Sequence, residues 1–141
     1  MRIVSWNIRE MGFHTSKGRK KWDSLISEGF FRDVVVLLQE TKIIDEDVGY
    51  FRYLCDIQGR NVHTCCNNSR SRGVAIIGPR KFKLKFESKD NDEGRRLTIS
   101  CQDEEVTTYI TCVYALDVHK EKREWISKLK VLKGRGVVGG D

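Results

Sequence analysis

The chain has 141 residues, 39% hydrophobic and 33% charged with a single proline, a composition that fits one folded domain and excludes a disordered, collagenous or low-complexity chain. Lys and Arg outnumber Asp and Glu by 26 to 20, a formal charge of +6 that favours polyanionic partners without identifying one. No apolar run reaches the roughly 18 residues that cross a bilayer, and the opening residues lack a signal-peptide stretch, so the expectation is a soluble intracellular protein with no membrane partner.

Arg2 to Asn7 reads as an opening strand, with β-branched Ile3 and Val4 and the aromatic Trp6. From Lys20 to Phe30 the apolar residues Trp22, Leu25, Ile26 and Phe30 fall three or four apart, which predicts a helix covering a sheet. Asp33 to Glu40 carries the run Val34-Val35-Val36-Leu37-Leu38, the pattern of a strand buried on both faces. The order β-α-β predicts a parallel pair. A helix over Asp45 to Cys55 follows, interrupted by Gly49.

Short strands are then expected over Val62–Cys65, Gly73–Ile77, Phe82–Glu87, Arg96–Cys101 and Val106–Tyr114, paired as antiparallel hairpins. The turns between them are read at Asn67-Asn68-Ser69, Gly78-Pro79, Asn91 to Gly94 and Asp103 to Glu105. A last helix from Val118 to Leu132 places Trp125, Leu129 and Leu132 on one side, and Val137-Val138 begins another strand that stops at Asp141. A strand delivering an Asp at its end ordinarily leads onward, so the chain reads as an incomplete α/β domain.

Five cysteines, Cys55, Cys65, Cys66, Cys101 and Cys112, show no Cys-x-x-Cys spacing and read as reduced thiols rather than disulfides or zinc ligands. Lys81, Lys83 and Lys85 alternate as on one face of a strand, and Trp6 and Trp22 read as packing residues. His14, His63 and His119 are placed in loops or on the surface. Gly134 to Gly139 matches G-x-G-x-x-G by accident, because a helix precedes it and a strand follows.

Asn7, Glu40 and Asp141 each close a strand, and the carboxyl ends of strands are where α/β sheets bind ligands. From spacing alone each of the three can simply terminate its strand; if they converge, oxygen donors of this kind suit Mg²⁺, with Mn²⁺ as a substitute, and imply phosphate chemistry. The words Ser5-Trp6-Asn7-Ile8-Arg9, Leu38-Gln39-Glu40-Thr41-Lys42, Gly73-Val74-Ala75-Ile76, Val113-Tyr114-Ala115 and Val138-Gly139-Gly140-Asp141 stand in the order of the exonuclease-endonuclease-phosphatase superfamily. The chain resembles most the apurinic-endonuclease-like domain of LINE-type non-LTR retrotransposon proteins.

That resemblance implies half of a two-sheet α/β sandwich, truncated over residues 1–141 and lacking its C-terminal half. It implies a Mg²⁺-dependent endonuclease that nicks DNA in the nucleus, with no small-molecule cofactor and a parent protein continuing into a reverse transcriptase. By the same resemblance Glu40 holds the divalent ion with Asn7, Tyr114 contacts the scissile phosphate, and Asp141 aligns the attacking water. Arg70 and Arg72, bordering a turn, and Arg9 beside Asn7 are candidates for DNA phosphates.

The family's Tyr-Gly/Ala-Pro-Asn stretch reads Tyr114-Ala115-Leu116-Asp117 here, without the proline that stiffens the loop. The Phe-Asn and Ser-Asp-His segments expected after Asp141 are missing, so activity of this chain is expected to be low or absent. The alternatives are another branch of the superfamily, an abasic-site nuclease or a lipid or inositol phosphatase, and a non-catalytic nucleic-acid-binding remnant.

Overall fold

A computed structural model describes residues 1–27, 33–90, 93–114 and 136–140. In chain order these form β1 (Arg2–Asn7), α1 (Ser16–Ser27), β2 (Val34–Gln39), α2 (Asp45–Asp56), β3 (Arg60–Cys65), β4 (Val74–Pro79), β5 (Lys85–Lys89), β6 (Arg96–Asp103), β7 (Val106–Val113) and β8 (Gly136–Gly140). They make two four-stranded sheets, ordered β1-β2-β4-β3 and β5-β6-β7-β8. The expected parallel pair is there, β1 beside β2 with Asn7 across from Gln39. A second parallel pair joins β7 to β8, with Val113 across from Gly140, and the remaining neighbours are antiparallel.

The apolar run of β2 is explained by where its two faces go. Val34, Val36 and Leu38 enter a core shared with Trp22, Leu25, Phe51 and Cys55 of the helices, whereas Val35 and Leu37 enter a second core with Leu97, Ile99, Ile110 and Cys112 of the other sheet. A strand between two apolar layers needs no polar face, so strict alternation disappears. Each such side chain contributes about 1.5–3 kcal/mol on full burial, which makes β2 and the likewise fully buried β4 the centre of the molecule.

Several local expectations are corrected. Helix α1 begins four residues earlier than its apolar period, because Thr15 Oγ1 accepts the Gly18 amide at 3.0 Å and caps the first turn. Gly78-Pro79 is no turn but the end of β4; a Cβ on Gly78 would lie 2.8 Å from Leu84 Cδ1, so this glycine makes room for a side chain. The strand expected from Phe82 starts at Lys85, after a 3₁₀ turn over Arg80–Phe82 and a left-handed Lys83. Lys81, Lys83 and Lys85 therefore share no strand face. His63 lies inside β3, with Nε2 3.3 Å from the Leu84 carbonyl, and Trp6 is 40% exposed rather than packed.

Gly49 leaves α2 unbroken, since the helix runs on to Asp56 with that position exposed. All five cysteines are free and buried. The helix expected over 118–132 and the residues Trp125, His119, Phe30 and Asp141 lie outside the described residues, as does the description of the Ile26 side chain. Among the described residues no helix is long and apolar enough to cross a membrane.

Candidate active site

The carboxyl ends of four strands meet at one end of the two sheets. Gln39, at the end of β2, is 1% exposed, and its Nε2 reaches Ser5 Oγ at 3.0 Å and Cys112 Sγ at 3.3 Å. Ser5 belongs to β1 of one sheet and Cys112 to β7 of the other, so this amide ties together the ends of three strands. Cys112 Sγ also lies 3.5 Å from the Leu38 carbonyl, and a Cβ on Gly139 of β8 would stand 2.7 Å from Leu37 Cδ1. The carboxyl ends of β1, β2, β7 and β8 thus lie on the same rim.

On that rim Asn7 Nδ2 donates to Glu40 Oε1 at 2.8 Å, although the two residues are 33 positions apart. The parallel register carries them together: the Ile8, Glu10 and Met11 amides bond the carbonyls of Gln39, Glu40 and Thr41 at 3.0, 2.7 and 2.9 Å, extending the β1–β2 ladder past both strands. Asn7 Oδ1 accepts the Arg9 amide at 3.1 Å, which fixes which side of the carboxamide faces Glu40. Lys21 of α1 caps this loop by donating to the Ile8 and Glu10 carbonyls, both at 2.8 Å, and burial together with the nearby Lys17 charge lowers its pKa.

The loops behind Glu40 stack by main-chain hydrogen bonds. Thr41 and Lys42 amides donate to the Gly73 and Arg72 carbonyls at 3.1 and 2.8 Å, Gly73 donates to Gly94 at 3.0 Å, and Tyr114 donates to Arg95 at 2.8 Å. Tyr114 follows directly on β7 and packs on the core between the sheets. The chain is bent sharply here: Arg9, Glu10, Glu40, Lys42 and Arg70 all have φ between 52° and 96°. Non-glycine residues held so cost about 1–3 kcal/mol each and collect where a structure places side chains for binding or chemistry.

Asn7, Glu40 and Tyr114 therefore occupy one rim, with Arg9 and Arg72 beside them. Arg70 is differently engaged: its guanidinium pairs with Asp47 at 3.0 Å, and the same carboxylate caps α2 through the Ile44 amide at 3.1 Å. Asp141 lies outside the described residues, which end on this rim at Gly140. Glu40 Oε2 has no hydrogen-bonded partner among the described residues, and no group of three or more His, Cys, Asp or Glu gathers there. One carboxylate beside a carboxamide suits Mg²⁺, which keeps several waters and takes one or two protein carboxylates plus phosphate oxygens.

Sequence reasoning missed Gln39 and Ser5 as the tie between sheets, and it missed Arg95. The signal for Gln39 was a polar residue closing a wholly apolar strand; for Arg95, following a turn, no periodicity was available.

No protein-family model matches the chain, and no curated protein matches it. Solved structures do. A truncated TDP2 from Caenorhabditis elegans matches with a TM-score of 0.59 at 18% identity, over 98% of this chain and 60% of that one. The 3′ phosphatase NExo from Neisseria, bound to a product DNA hairpin, matches with a TM-score of 0.61 at 22% identity, over 90% and 49%. An AP endonuclease from Archaeoglobus fulgidus matches with a TM-score of 0.58 at 18% identity, over 100% and 57%. The chain spans about half the length of these solved chains, and the two sheets and two helices of its described residues form part of an exonuclease-endonuclease-phosphatase type of fold.

Proposed function

We propose that the chain is part of a Mg²⁺-dependent phosphodiesterase of the DNA-nicking, retrotransposon type. The observation that carries this reading is the 2.8 Å contact between Asn7 and Glu40 at paired strand ends, on a fold shared with a phosphatase, an exonuclease and an AP endonuclease. The retrotransposon assignment is supported by the sequence words around Asn7 and Glu40, and DNA as substrate by the +6 charge and the DNA-bound neighbour.

On this reading Glu40 holds the cation and Asn7 orients both that carboxylate and a phosphate oxygen. The bound ion would neutralise charge developing on the phosphate and activate water. Tyr114 donates its hydroxyl toward a non-bridging oxygen, Asp141 orients the water, and Arg9 draws the strand to the rim. If the proton-handling residues reside in a remaining half of the domain, ahead of a reverse transcriptase, the chain alone lacks help worth about 10²- to 10⁴-fold in rate.

The test is nicking of supercoiled plasmid with Mg²⁺, with EDTA and with Glu40→Gln, alongside NMR line broadening by Mn²⁺. We expect at most slow nicking, abolished by EDTA and reduced about 10³-fold by Glu40→Gln, and broadening centred on Asn7 and Glu40. Nicking that survives in Glu40→Gln, or broadening centred elsewhere, overturns the reading.

A further inference from the structure

Among the described residues β1 and β8 each have a neighbour on one side only, β2 and β7 respectively. They close the two sheets on the same side: a Cβ on Gly139 of β8 would lie 2.7 Å from Leu37 Cδ1 of β2 and 4.0 Å from Ser5 Cβ of β1. Edge strands present unpaired main-chain groups, and proteins ordinarily blunt them with charge, proline, bulges or a cover. The opposite side of the molecule follows that rule. There β5 carries Lys85, Glu87 and Lys89 with a break in register between Phe86 and Ser88, and β3 carries Arg60 and His63. Neither residues 3–7 nor Gly136–Gly140 contain a charge or a proline. What they expose is apolar: Val4 and Trp6 are each 40% exposed, Val137 38% and Val138 66%.

The main chain of β1 is set for a further strand. Its Arg2 amide donates to the Asp33 carbonyl at 3.1 Å, and the ladder ends with Ile8 donating to Gln39 at 3.0 Å. Alternate residues of a strand face one neighbour, so Arg2, Val4, Trp6 and Ile8 turn their main-chain groups to β2, whereas Ile3 and Ser5 turn theirs outward.

A second copy of the chain is the occupant that fits both edges together. The two strands run the same way, toward the rim, because β1 is parallel to β2, β8 is parallel to β7, and Gln39 and Cys112 meet at the ends of β2 and β7. One two-fold axis perpendicular to the sheets therefore sets β1 against β1 and β8 against β8, each pair antiparallel. With the axis at Ser5, Val4 of each copy lies opposite Trp6 of the other in a closely spaced pair, a β-branched residue against an aromatic one. One strand edge alone falls short of the roughly 800 Å² per partner typical of a stable interface, so joining both edges in one contact brings a dimer within reach.

We propose that the chain forms a two-fold dimer through β1 and β8, which extends both sheets across the axis. The proposal does not rest on the phosphodiesterase reading, and neither metal nor nucleic acid enters it.

The test uses the full chain in EDTA without nucleic acid. Sedimentation velocity is followed from about 1 µM to about 1 mM, with amide hydrogen exchange and Tm measured at both ends of that range. We expect a reversible monomer–dimer equilibrium, a Tm that rises with concentration, and Ile3 and Ser5 amides that exchange slowly only at the high end. Val4→Lys and Val138→Lys should each weaken dimerisation at least about 10-fold, since the two-fold repeats every substitution and the lysines guard the edges, with the low-concentration Tm unchanged. If Val4→Lys fails to fold, Val138→Lys carries the same readouts from the more exposed position. A monomer throughout overturns the proposal and leaves the edges to a different chain. Growth beyond a dimer overturns the two-fold closure. A dimer that neither lysine weakens, or whose Ile3 and Ser5 amides stay unprotected, overturns this surface as its interface.

Discussion

Replacing Gly73 with alanine tests how tightly the loop behind Glu40 is held. Gly73 has φ of +121°, a region L side chains rarely adopt, and an added Cβ would lie 2.3 Å from Thr41 Oγ1 and 3.3 Å from the Lys42 nitrogen. The first separation is about 1 Å short of ordinary van der Waals contact. Thr41 cannot withdraw: it is fully buried, and the Thr41–Gly73 and Lys42–Arg72 hydrogen bonds pin both segments. The backbone change costs about 1–3 kcal/mol and the overpacking about 1–3 kcal/mol more, so Gly73→Ala is expected to destabilise the fold by about 2–6 kcal/mol. That is a large share of the roughly 5–15 kcal/mol available to a domain. Urea unfolding followed by tryptophan fluorescence measures it. Thr41→Ala removes the colliding oxygen, itself an unpartnered buried atom, so the double variant should recover about 1–3 kcal/mol while the backbone share remains. A loss below about 1 kcal/mol, or no recovery in the double variant, would refute the reasoning.

Gln39→Leu keeps the volume but removes the amide that joins Ser5 to Cys112; denaturation should show a loss of about 1–3 kcal/mol from the polar atoms left behind. Asp47→Ala removes both the α2 cap and the Arg70 partner, and a loss of about 1–2 kcal/mol in thermal unfolding is expected. Burial pushes the Cys55 and Cys65 thiols up to about 12, Asp90 adding to the effect at Cys65. Their folded pKa values exceed the unfolded value near 9, so their contribution is complete below pH 9 and is lost as pH rises toward 12; stability measured across that range should fall. His63 runs the other way. Burial lowers its pKa, so its contribution is present above the usual value of 6.5 and declines as pH drops below it, which the same titration detects in wild type and not in His63→Gln.

Periodicity gave away the elements whose faces differ. The opening strand matches at both ends, the β2 run marks a strand between two layers, and the parallel β1–β2 pair follows from the intervening helix. The start of α1 was hidden because its cap is a single threonine hydroxyl and its first turn carries no apolar residue. Gly78 misled because glycine makes room in a packed sheet as well as turning a chain, and only the position of Leu84 decides between them. Of the site, Asn7 and Glu40 were legible because strand ends can be read locally and a parallel register aligns them. Arg95 was not, since its burial comes from loops distant in sequence whose stacking no local pattern encodes.

The bent backbone at the rim has a consequence for what mutation can do there. At Arg9, Glu10, Glu40, Lys42 and Arg70 an L-amino acid sits in the mirror-image half of conformational space, where glycine would be at ease. For Lys42, φ 53°, a glycine would relax the main chain and delete the ammonium in one step, making the polypeptide sturdier and its rim poorer in charge. Thermal robustness and side-chain charge are opposed at these positions, so directed selection for heat tolerance alone should drift toward glycine there and strip the rim of its charged groups first.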